Sequence, residues 1–468
     1  MIELTLGDVA AAVGGRLVDA DPATVVTGPV EYDSRKVAPG GLFLALPGEH
    51  VDGHDFAAAA LERGAVAVLA SHAVDLPRIE VADGIDALTA LAATVARRLE
   101  ATVVGITGSS GKTSTKDLLG SVLSTLGPTI APANSANNEL GHPYTVLRAD
   151  AATRFLVLEL GARGIGHIRH LTEIAPLQSG IVLNVGSAHI GEFGSRAAIA
   201  QAKGELVEAL PADGLAVLNA DDDLVMGMAS RTAARVVTFG MSADADVWAD
   251  EVTTDELQRP GFVLHAGAES AAVQLRFVGV HSVSNAIAAA ALALNHGLSL
   301  PETAAALSAA PPASHWRMEL TERPDGVVVI NDAYNSNPES IRAALSTLVS
   351  VTAARSGRSV AVLGHMAELG ATEHDEHEAV GRLVAQLGIA RLLVVGEPAR
   401  PILDAAVLEG SAATPDRRTS ADWVPDVETA TAALRAELRP GDVVLVKASR
   451  AASLERVALA IAEDEPGD

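Results

Sequence analysis

Short apolar runs alternate along the chain with longer stretches in which apolar residues return every three or four positions. The short runs have the length of buried strands, and the longer stretches have the period of amphipathic helices. Strands that alternate with helices in this way build parallel sheets with helices on both faces, so the pattern predicts the α/β class. Five of the predicted strands cover residues 42–46, 103–106, 155–161, 215–219 and 443–446.

Two breaks divide this pattern into three parts. A predicted helix over 85–99 separates a small α/β unit from a larger one, and Pro311-Pro312 separates the larger unit from a third. We therefore predict three domains, over residues 1–100, 101–311 and 312–468. The first is a small α/β domain, and the other two are open α/β domains, of which the third is Rossmann-like.

The stretch at 101–120, ATVVGITGSSGKTSTKDLLG, predicts a phosphate-binding loop that makes the central domain P-loop-like. A strand runs into small residues and then into a helix, whose unpaired N–H groups and positive end attract phosphate. Lys112 would contact the β- and γ-phosphates of a nucleotide, and Thr113 would offer its hydroxyl to Mg²⁺. Ile106 stands where the general pattern has glycine. The alternative interpretation is an ordinary strand–turn–helix corner.

Two further residues are predicted on the same rim as Lys112. Glu159 ends one predicted strand, and His189 follows the end of the next. Ligands of open α/β sheets bind in the crevice at the carboxyl ends of the strands, and an acid beside a phosphate loop is placed to hold Mg²⁺. Lys203 lies on a predicted helix, and taken alone it is interpreted as a surface lysine.

Composition narrows the classes of function. Of the 468 residues, 49% are hydrophobic and only 3% aromatic, so the cores must be aliphatic. The net charge of −25 argues against general binding to nucleic acid or anionic membrane. The absence of cysteine excludes disulfides, thiolate metal sites and cysteine nucleophiles. Because we find neither a signal peptide nor an apolar run near the ~18 residues of a membrane helix, we expect a cytoplasmic protein.

Ten segments carry a resemblance through their order along the chain: DSRKVAPGGLFLALPGEHVDGHDF, GITGSSGKTSTK, NSANNELGHP, LELGARGIGHI, NVGSAHIGEFGS, AKGEL, GVHSVSNAIAA, HWRMEL, NDAYNSNPES and LVKASR. In this order they resemble the Mur ligases of peptidoglycan synthesis along nearly the whole chain. The NNELG and DAYNSNPES segments are most similar to the branch that adds D-alanyl-D-alanine to UDP-N-acetylmuramoyl-tripeptide.

The resemblance implies an ATP-dependent amide ligase with three domains. The first would hold the UDP end of the acceptor, the second ATP and Mg²⁺, and the third the dipeptide. In such enzymes ATP phosphorylates a carboxylate, and the amine of D-alanyl-D-alanine attacks the acyl phosphate. The implied partners are these small molecules, with no nucleic acid and no integral membrane segment, and the chain is expected to be a monomer.

The resemblance also assigns roles to individual residues. The implied ATP contacts are Thr107, Gly108, Ser109, Ser110, Gly111, Lys112, Thr113 and Ser114, with Asn285 on adenine, Asp332 on ribose and Arg317 on the γ-phosphate. The implied Mg²⁺ site is Thr113, Glu159, His189 and Lys203, the last carried as a carbamate because an ammonium cannot ligate a metal. The implied catalytic residues are Lys112, His189, Lys203 and Arg317. Ser34, Arg35 and Asn138 would contact the UDP-sugar, and Asn335 and Asn337 belong to the dipeptide region.

Four positions depart from the family pattern: Leu160, Ser282, His365 and Ala448. The last two lie in the third domain and bear on selectivity for the amine. Three alternatives stay open at this point: a ligase of the same family that adds a diamino acid, a folylpolyglutamate synthetase, and a non-catalytic P-loop ATP-binding protein. The DSRK and GHDF segments argue against the second, because its first domain is of another kind.

Overall fold

The structure is a computed structural model that describes residues 1–48, 51–132, 134–186, 190–355, 357–411 and 419–463. Helices surround three large sheets, so the predicted α/β class is confirmed. The sheets span residues 16–80, 102–274 and 319–447. The domain limits proposed from the sequence stay predictions.

The first part of the chain forms a mixed five-stranded sheet and a small two-stranded one. Its strands are β1 (Leu4–Thr5), β2 (Arg16–Val18), β3 (Val25–Val26), β4 (Val30–Glu31), β5 (Leu42–Leu44), β6 (Ala67–Ala70) and β7 (Arg78–Glu80). Its α-helices are α1 (Leu6–Val13), α2 (Ala57–Glu62) and α3 (Gly84–Arg98). The larger sheet has the order β2-β7-β6-β5-β4, in which only the β2–β7 pair is antiparallel.

The second part forms a sheet of nine strands. They are β8 (Thr102–Thr107), β9 (Thr129–Ile130), β10 (Phe155–Glu159), β11 (Ser179–Val182), β12 (Leu215–Asn219), β13 (Arg235–Gly240), β14 (Val247–Thr254), β15 (Pro260–Ala266) and β16 (Glu269–Gln274). The α-helices are α4 (Lys112–Leu123), α5 (Gly141–Val146), α6 (His167–Ile174), α7 (Ile190–Phe193), α8 (Arg196–Glu208), α9 (Asp223–Met226), α10 (Ser282–Asn295) and α11 (Leu300–Ala309). Strands β9-β10-β8-β11-β12-β13-β14 are parallel neighbours in that order, and β15 and β16 extend them antiparallel.

The third part forms a sheet of six strands. They are β17 (Glu319–Glu322), β18 (Val328–Asp332), β19 (Ser359–Leu363), β20 (Arg391–Val395), β21 (Ser420–Val424) and β22 (Val443–Lys447). The α-helices are α12 (Pro338–Arg355), α13 (Glu373–Gln386), α14 (Arg400–Gly410), α15 (Val427–Glu437) and α16 (Glu455–Ala462). The order is β17-β18-β22-β19-β20-β21, and only the edge pair β17–β18 is antiparallel.

Helix α3 joins the first part of the chain to the second. Asp83 caps it by accepting hydrogen bonds from the N–H groups of Ile85 and Asp86, which satisfies donors that a helix start leaves unpaired. Its buried face belongs to one hydrophobic core that continues into α5 and α6. The first sheet is therefore joined to the second through α3, α5 and α6. No helix among the described residues has both the length and the apolar character needed to cross a membrane.

Candidate active site

A cleft of about 990 Å³ lies where the carboxyl ends of the second and third sheets meet. Its walls include residues that follow β8, β10 and β11 on one side and residues that end or follow β18 and β22 on the other. Of the residues predicted for the site, those in the cleft wall are Ser109, Ser110, Gly111, Lys112, Thr113, Ser114, Asn138, Glu159, Lys203, Asn285, Arg317, Asp332, Asn335 and Asn337. The fold therefore brings most of the predicted constellation into one cavity.

The loop before α4 has the geometry that a phosphate-binding loop requires. Gly111 has a φ of 80° and caps the start of α4, a conformation that glycine adopts without strain. A Cβ on Gly111 would lie 2.4 Å from the amide oxygen of Asn285, so only glycine fits between the loop and α10. The Lys112 ammonium donates to the carbonyl of Gly108 at 2.8 Å, which curls the lysine back over its own loop.

Asn184, which follows β11, anchors the loop, and we did not predict it from the sequence. Its amide oxygen accepts hydrogen bonds from the N–H groups of Ser109 and Ser110, both at 3.0 Å. The Ser109 hydroxyl in turn accepts from the N–H of Gly186 at 2.9 Å. The only signal in the sequence was its place at a strand end, which it shares with Glu159.

Glu159 is a buried carboxylate at the end of β10, as predicted. Thr113 donates to one of its oxygens at 3.0 Å, and Ser135 and Asn137 donate to the other at 2.6 and 2.7 Å. Both oxygens of this buried carboxylate therefore have hydrogen-bond donors from the protein itself. The carboxylate is also joined directly to the first turn of α4 through the hydroxyl of Thr113.

Lys203 lies in α8 and is buried, with 6% of its surface exposed. The interpretation of this residue as a surface lysine is therefore wrong. Among the described residues, no hydrogen-bond acceptor or carboxylate partners its ammonium group. Burial lowers the pKa of Lys203 well below its ordinary value, and the nearby charge of Lys112 lowers it further.

Arg317 reaches the cleft from the linker between α11 and β17. Its guanidinium lies 4.3 Å from the ring centre of Tyr334, within the range of a cation–π interaction. The Nε of Arg317 is buried and has no hydrogen-bond partner among the described residues. The backbone on both sides is strained, because Trp316 and Met318 have φ values of 59° and 52°. A buried donor without an acceptor beside a phosphate loop fits an anion that the protein itself does not supply.

Asp332 ends β18 with both carboxylate oxygens engaged. One accepts from the N–H of Met318 at 3.1 Å, and the other pairs with Lys447 at 2.5 Å. Lys447 is itself buried and also donates to the carbonyl of Asn335 at 3.0 Å. Asp332 thus holds the linker of Arg317, a function that we did not predict. Its contact with ribose stays a prediction.

The other predicted residues lie as follows. Thr107 is buried and donates to the carbonyl of Leu160. Asn335 is exposed, Asn337 accepts from the N–H of Ser340 at the start of α12, and Asn138 accepts from the N–H of Gly141. Thr107, Gly108, Ser34 and Arg35 are not part of the cleft wall, and Arg35 pairs with Asp33 instead. His189 lies outside the described residues.

Charge in the cleft favours an anionic ligand with a hard metal ion. Burial lowers the pKa of Lys112, which Glu159 opposes and Arg317 reinforces. Lys112, Lys203 and Arg317 thus form a group of basic side chains with Glu159 as a nearby carboxylate. The Thr113 hydroxyl and the Glu159 carboxylate are oxygen donors of the kind that Mg²⁺ prefers, so the residues present fit both a polyphosphate and Mg²⁺.

Comparisons with known proteins agree with this geometry. Three family models match in succession: Mur ligase family, catalytic domain, over residues 29–106; Mur ligase middle domain, over 106–293; and Mur ligase, glutamate ligase domain, over 316–450. A protein of Mycobacterium tuberculosis strain H37Rv named UDP-N-acetylmuramoyl-tripeptide–D-alanyl-D-alanine ligase is 51% identical over 504 aligned positions, which cover 99% of each chain. The solved structure of MurF from Acinetobacter baumannii matches with a TM-score of 0.83 at 31% identity, covering 99% of both chains. MurF from Thermotoga maritima in complex with ADP matches with a TM-score of 0.77 at 28% identity, covering 94% of this chain and 98% of that one.

Proposed function

Because the chain belongs to the Mur ligase family, we propose that it is an ATP-dependent ligase that adds D-alanyl-D-alanine to UDP-N-acetylmuramoyl-tripeptide. The observation that carries the proposal is the shared cleft: the phosphate loop of one sheet and the Arg317 linker of the next face the same cavity. Relatives named for this reaction align along nearly the full chain. A protein that only binds ATP would need the phosphate-binding loop. It would not need Arg317 in the same cleft, between two residues with strained backbone conformations.

The reaction proceeds in two transfers. An oxygen of the acceptor carboxylate attacks the γ-phosphorus of ATP, so that an acyl phosphate forms and ADP leaves. The amine nitrogen of the dipeptide then attacks the acyl carbon and loses a proton. Phosphate leaves with the oxygen that came from the carboxylate. Lys112 and Arg317 are the cations of the cleft that would oppose the charge of the transferred phosphoryl group.

Thr113 and Glu159 would hold Mg²⁺, which supplies charge neutralisation between the phosphate oxygens when bound. We propose that Lys203, as a carbamate, and His189 are the further ligands of this site. Burial lowers the pKa of Lys203 and so favours its neutral amine, which is the form that reacts with CO₂. The product is an anion that would relieve the repulsion between Lys203 and Lys112.

We further propose that the protein acts as a monomer in the cytoplasm, where ATP and UDP-linked precursors are found. Lys112, Thr113, Glu159, Lys203 and Arg317 all line one cleft within one chain. Ser34, Arg35 and Asn138 are proposed for the UDP-sugar, Asn285 for adenine, and Asn335 and Asn337 for the dipeptide region.

Phosphate release measured with purified substrates tests the function. With ATP, Mg²⁺ and UDP-N-acetylmuramoyl-tripeptide present, release should be slow until D-alanyl-D-alanine is added. Release that depends on a diamino acid and a shorter acceptor would instead show the sister activity of the family. No release under either condition would leave only an ATP-binding protein. Lys112→Ala should abolish the dipeptide-dependent signal without unfolding the protein, because it removes one contact in an open cleft.

A further inference from the structure

A buried polar cluster fastens the linker of Arg317 to the helix of the phosphate loop. The cluster consists of Lys116, Asp117 and Ser314, and we call it the linker clamp. Lys116 and Asp117 lie one turn beyond Lys112 and Thr113 on α4. Ser314 lies three residues before Arg317. The three clamp residues are 2%, 8% and 5% exposed.

Both carboxylate oxygens of Asp117 accept hydrogen bonds from Ser314. One oxygen accepts from the N–H of Ser314 at 2.9 Å, and the other accepts from its hydroxyl at 3.0 Å. Lys116 donates to the same hydroxyl at 3.0 Å and pairs with Asp117 at 2.5 Å. The serine therefore has its backbone donor, its hydroxyl donor and its hydroxyl acceptor all engaged by two adjacent residues of α4.

The linker is also fixed at its far end. The N–H of Met318 donates to Asp332, and the N–H of Tyr334 donates to the carbonyl of Trp316 at 3.2 Å. Arg317 thus lies between two anchors, one on each side of the cleft. Ser314 lies three residues before Arg317 and Met318 lies one residue after it, and three residues span at most about 11 Å. A shift of Ser314 is therefore expected to move Arg317 as well.

A buried ion pair is a costly way to hold a chain, because desolvation offsets most of its attraction. Apolar packing at this place would stabilise the fold equally well. A charged pair that engages a serine in three directions sets position more narrowly than apolar contacts do. The clamp joins the helix that begins at Lys112 to the linker that carries Arg317. Its location therefore suggests a role in positioning these two predicted phosphate-binding residues.

We propose that Lys116 and Asp117 are positioning residues that set the distance between Arg317 and the phosphate loop through Ser314. The inference rests on the proposed function, since it assigns Arg317 to the transferred phosphoryl group. Lys112 and the clamp share one rigid helix, so the loop and the arginine linker move as one unit on this side of the cleft.

Kinetics of Asp117→Asn and Ser314→Ala test the proposal. A displacement of about 1 Å at a reacting centre costs on the order of 100-fold in rate. We expect kcat to fall about 10- to 100-fold in Asp117→Asn, and less in Ser314→Ala, with ATP affinity nearly unchanged. Ser314→Ala keeps the N–H bond to Asp117, so it tests the clamp even if Asp117→Asn fails to fold. Loss of ATP affinity in proportion to kcat would overturn the proposal.

A double-mutant cycle with Arg317→Ala separates positioning from plain destabilisation. If the clamp acts through Arg317, Ser314→Ala should cost little more once Arg317 is gone. Equal losses in both backgrounds would overturn the proposal. The matched control is Asp442→Asn, which weakens the ion pair of this buried carboxylate with the partly exposed Arg358, just before β22 and away from the cleft. It should lower thermal stability and leave kcat unchanged.

Fluorescence gives a readout that needs no turnover. In a Trp248→Phe, Trp423→Phe background, the remaining indole is Trp316, two residues beyond Ser314 on the linker. Ser314→Ala should change its emission, and Asp442→Asn should not. Unchanged emission in Ser314→Ala would show that the clamp does not set the position of the linker.

If wild-type protein fails to release phosphate with the dipeptide, the proposed function is contradicted and the clamp proposal with it. If the wild type is active and the kcat losses of Ser314→Ala and Arg317→Ala are additive, only the clamp proposal is contradicted.

Discussion

Two buried lysines, Lys116 on α4 and Lys203 on α8, show how differently one side chain is used in this molecule. Lys116 is 2% exposed and is surrounded by oxygen: the carboxylate of Asp117, the hydroxyl of Ser314 and two backbone carbonyls. Lys203 is 6% exposed, and among the described residues no acceptor faces its ammonium. The protein itself therefore supplies partners for the Lys116 ammonium. Lys203 lies in the cleft wall next to the basic side chain of Lys112, an arrangement that costs stability and favours a bound anion.

This contrast distinguishes charged side chains that have partners within the protein from those that lack them, and it does not depend on comparison with relatives. A buried charge whose partners all lie within the protein needs no bound ligand to account for its burial. A charge that the fold buries and leaves unsatisfied is explained by what binds there, because an uncompensated buried charge is otherwise expensive. Lys447 belongs with Lys116, since Asp332 and a carbonyl satisfy it. Arg317, whose Nε lacks an acceptor within the described chain, belongs with Lys203.

The largest expected effect is on activity in Lys203→Ala. If Lys203 is an anionic carbamate at the metal site, this variant should fold normally and lose about 1,000-fold or more in kcat, which is about 4 kcal/mol of transition-state stabilisation. Formate should restore part of the activity by filling the vacated anionic position. Dipeptide-dependent phosphate release measures both results.

A fully active Lys203→Ala protein in CO₂-free buffer would remove Lys203 from the site while leaving the phosphate loop in place. The matched control is formate added to Lys112→Ala. That variant lacks a cation rather than an anion, so formate should restore nothing.

The next effect is on stability, and it compares the same substitution at the two lysines. Lys116→Met leaves Asp117 buried beside Ser314 without its cation, and breaking one partner of a buried pair costs about 3–5 kcal/mol. Lys203→Met removes a buried amine that has no partner in the described structure, so the free energy of unfolding should stay equal or rise. Urea unfolding of both variants measures the difference. Equal losses at both positions would contradict the contrast between the two lysines.

A smaller effect is expected in Arg317→Ala. The guanidinium stacks on Tyr334 and lies in the cleft wall, so its charge should matter most when negative charge develops on the transferred phosphoryl group. We expect kcat to fall about 100-fold while the dissociation constant of ATP changes little. Binding is measured by titration and turnover by phosphate release. A loss of ATP affinity with normal kcat would move Arg317 from the reaction to nucleotide binding.

The smallest effect is a pH dependence of stability. The folded pKa of Lys203 lies below its ordinary value of 10.5, so between those two values the unfolded chain binds a proton that the folded chain does not. Stability must then rise with pH across that window, by at most about 1.4 kcal/mol per pH unit. Urea unfolding in CO₂-free buffer should show this slope in the wild type and lose it in Lys203→Met. The same slope in both proteins would assign it to other groups.

Much of the fold was predictable, because parallel strands and their helices leave strong periodic patterns. The run at 103–106, the glycine-rich turn and the helix after it all appear as predicted, and Glu159 was correctly placed at the end of its strand. Strands β14–β16 were not predicted, because exposed and partly exposed positions interrupt their apolar residues.

What escaped prediction depends on contacts between distant residues. Ser314 meets Lys116 across 198 positions of sequence, and no local pattern marks either residue as a partner. The burial of Lys203 depends on how α8 packs over the second sheet, which the spacing of its apolar residues does not determine. Sequence patterns predict which residue types line a strand end, while tertiary packing decides which charges are satisfied there.

The path of one oxygen atom tests the central claim, that the cleft joins carboxylate and amine through an acyl phosphate. The acceptor is prepared with ¹⁸O in its terminal carboxylate, and the phosphate released after addition of D-alanyl-D-alanine is analysed by mass spectrometry. Because the carboxylate oxygen leaves with the phosphoryl group, we predict one ¹⁸O in each phosphate formed with amide product. Amide product accompanied by phosphate without ¹⁸O would contradict the account.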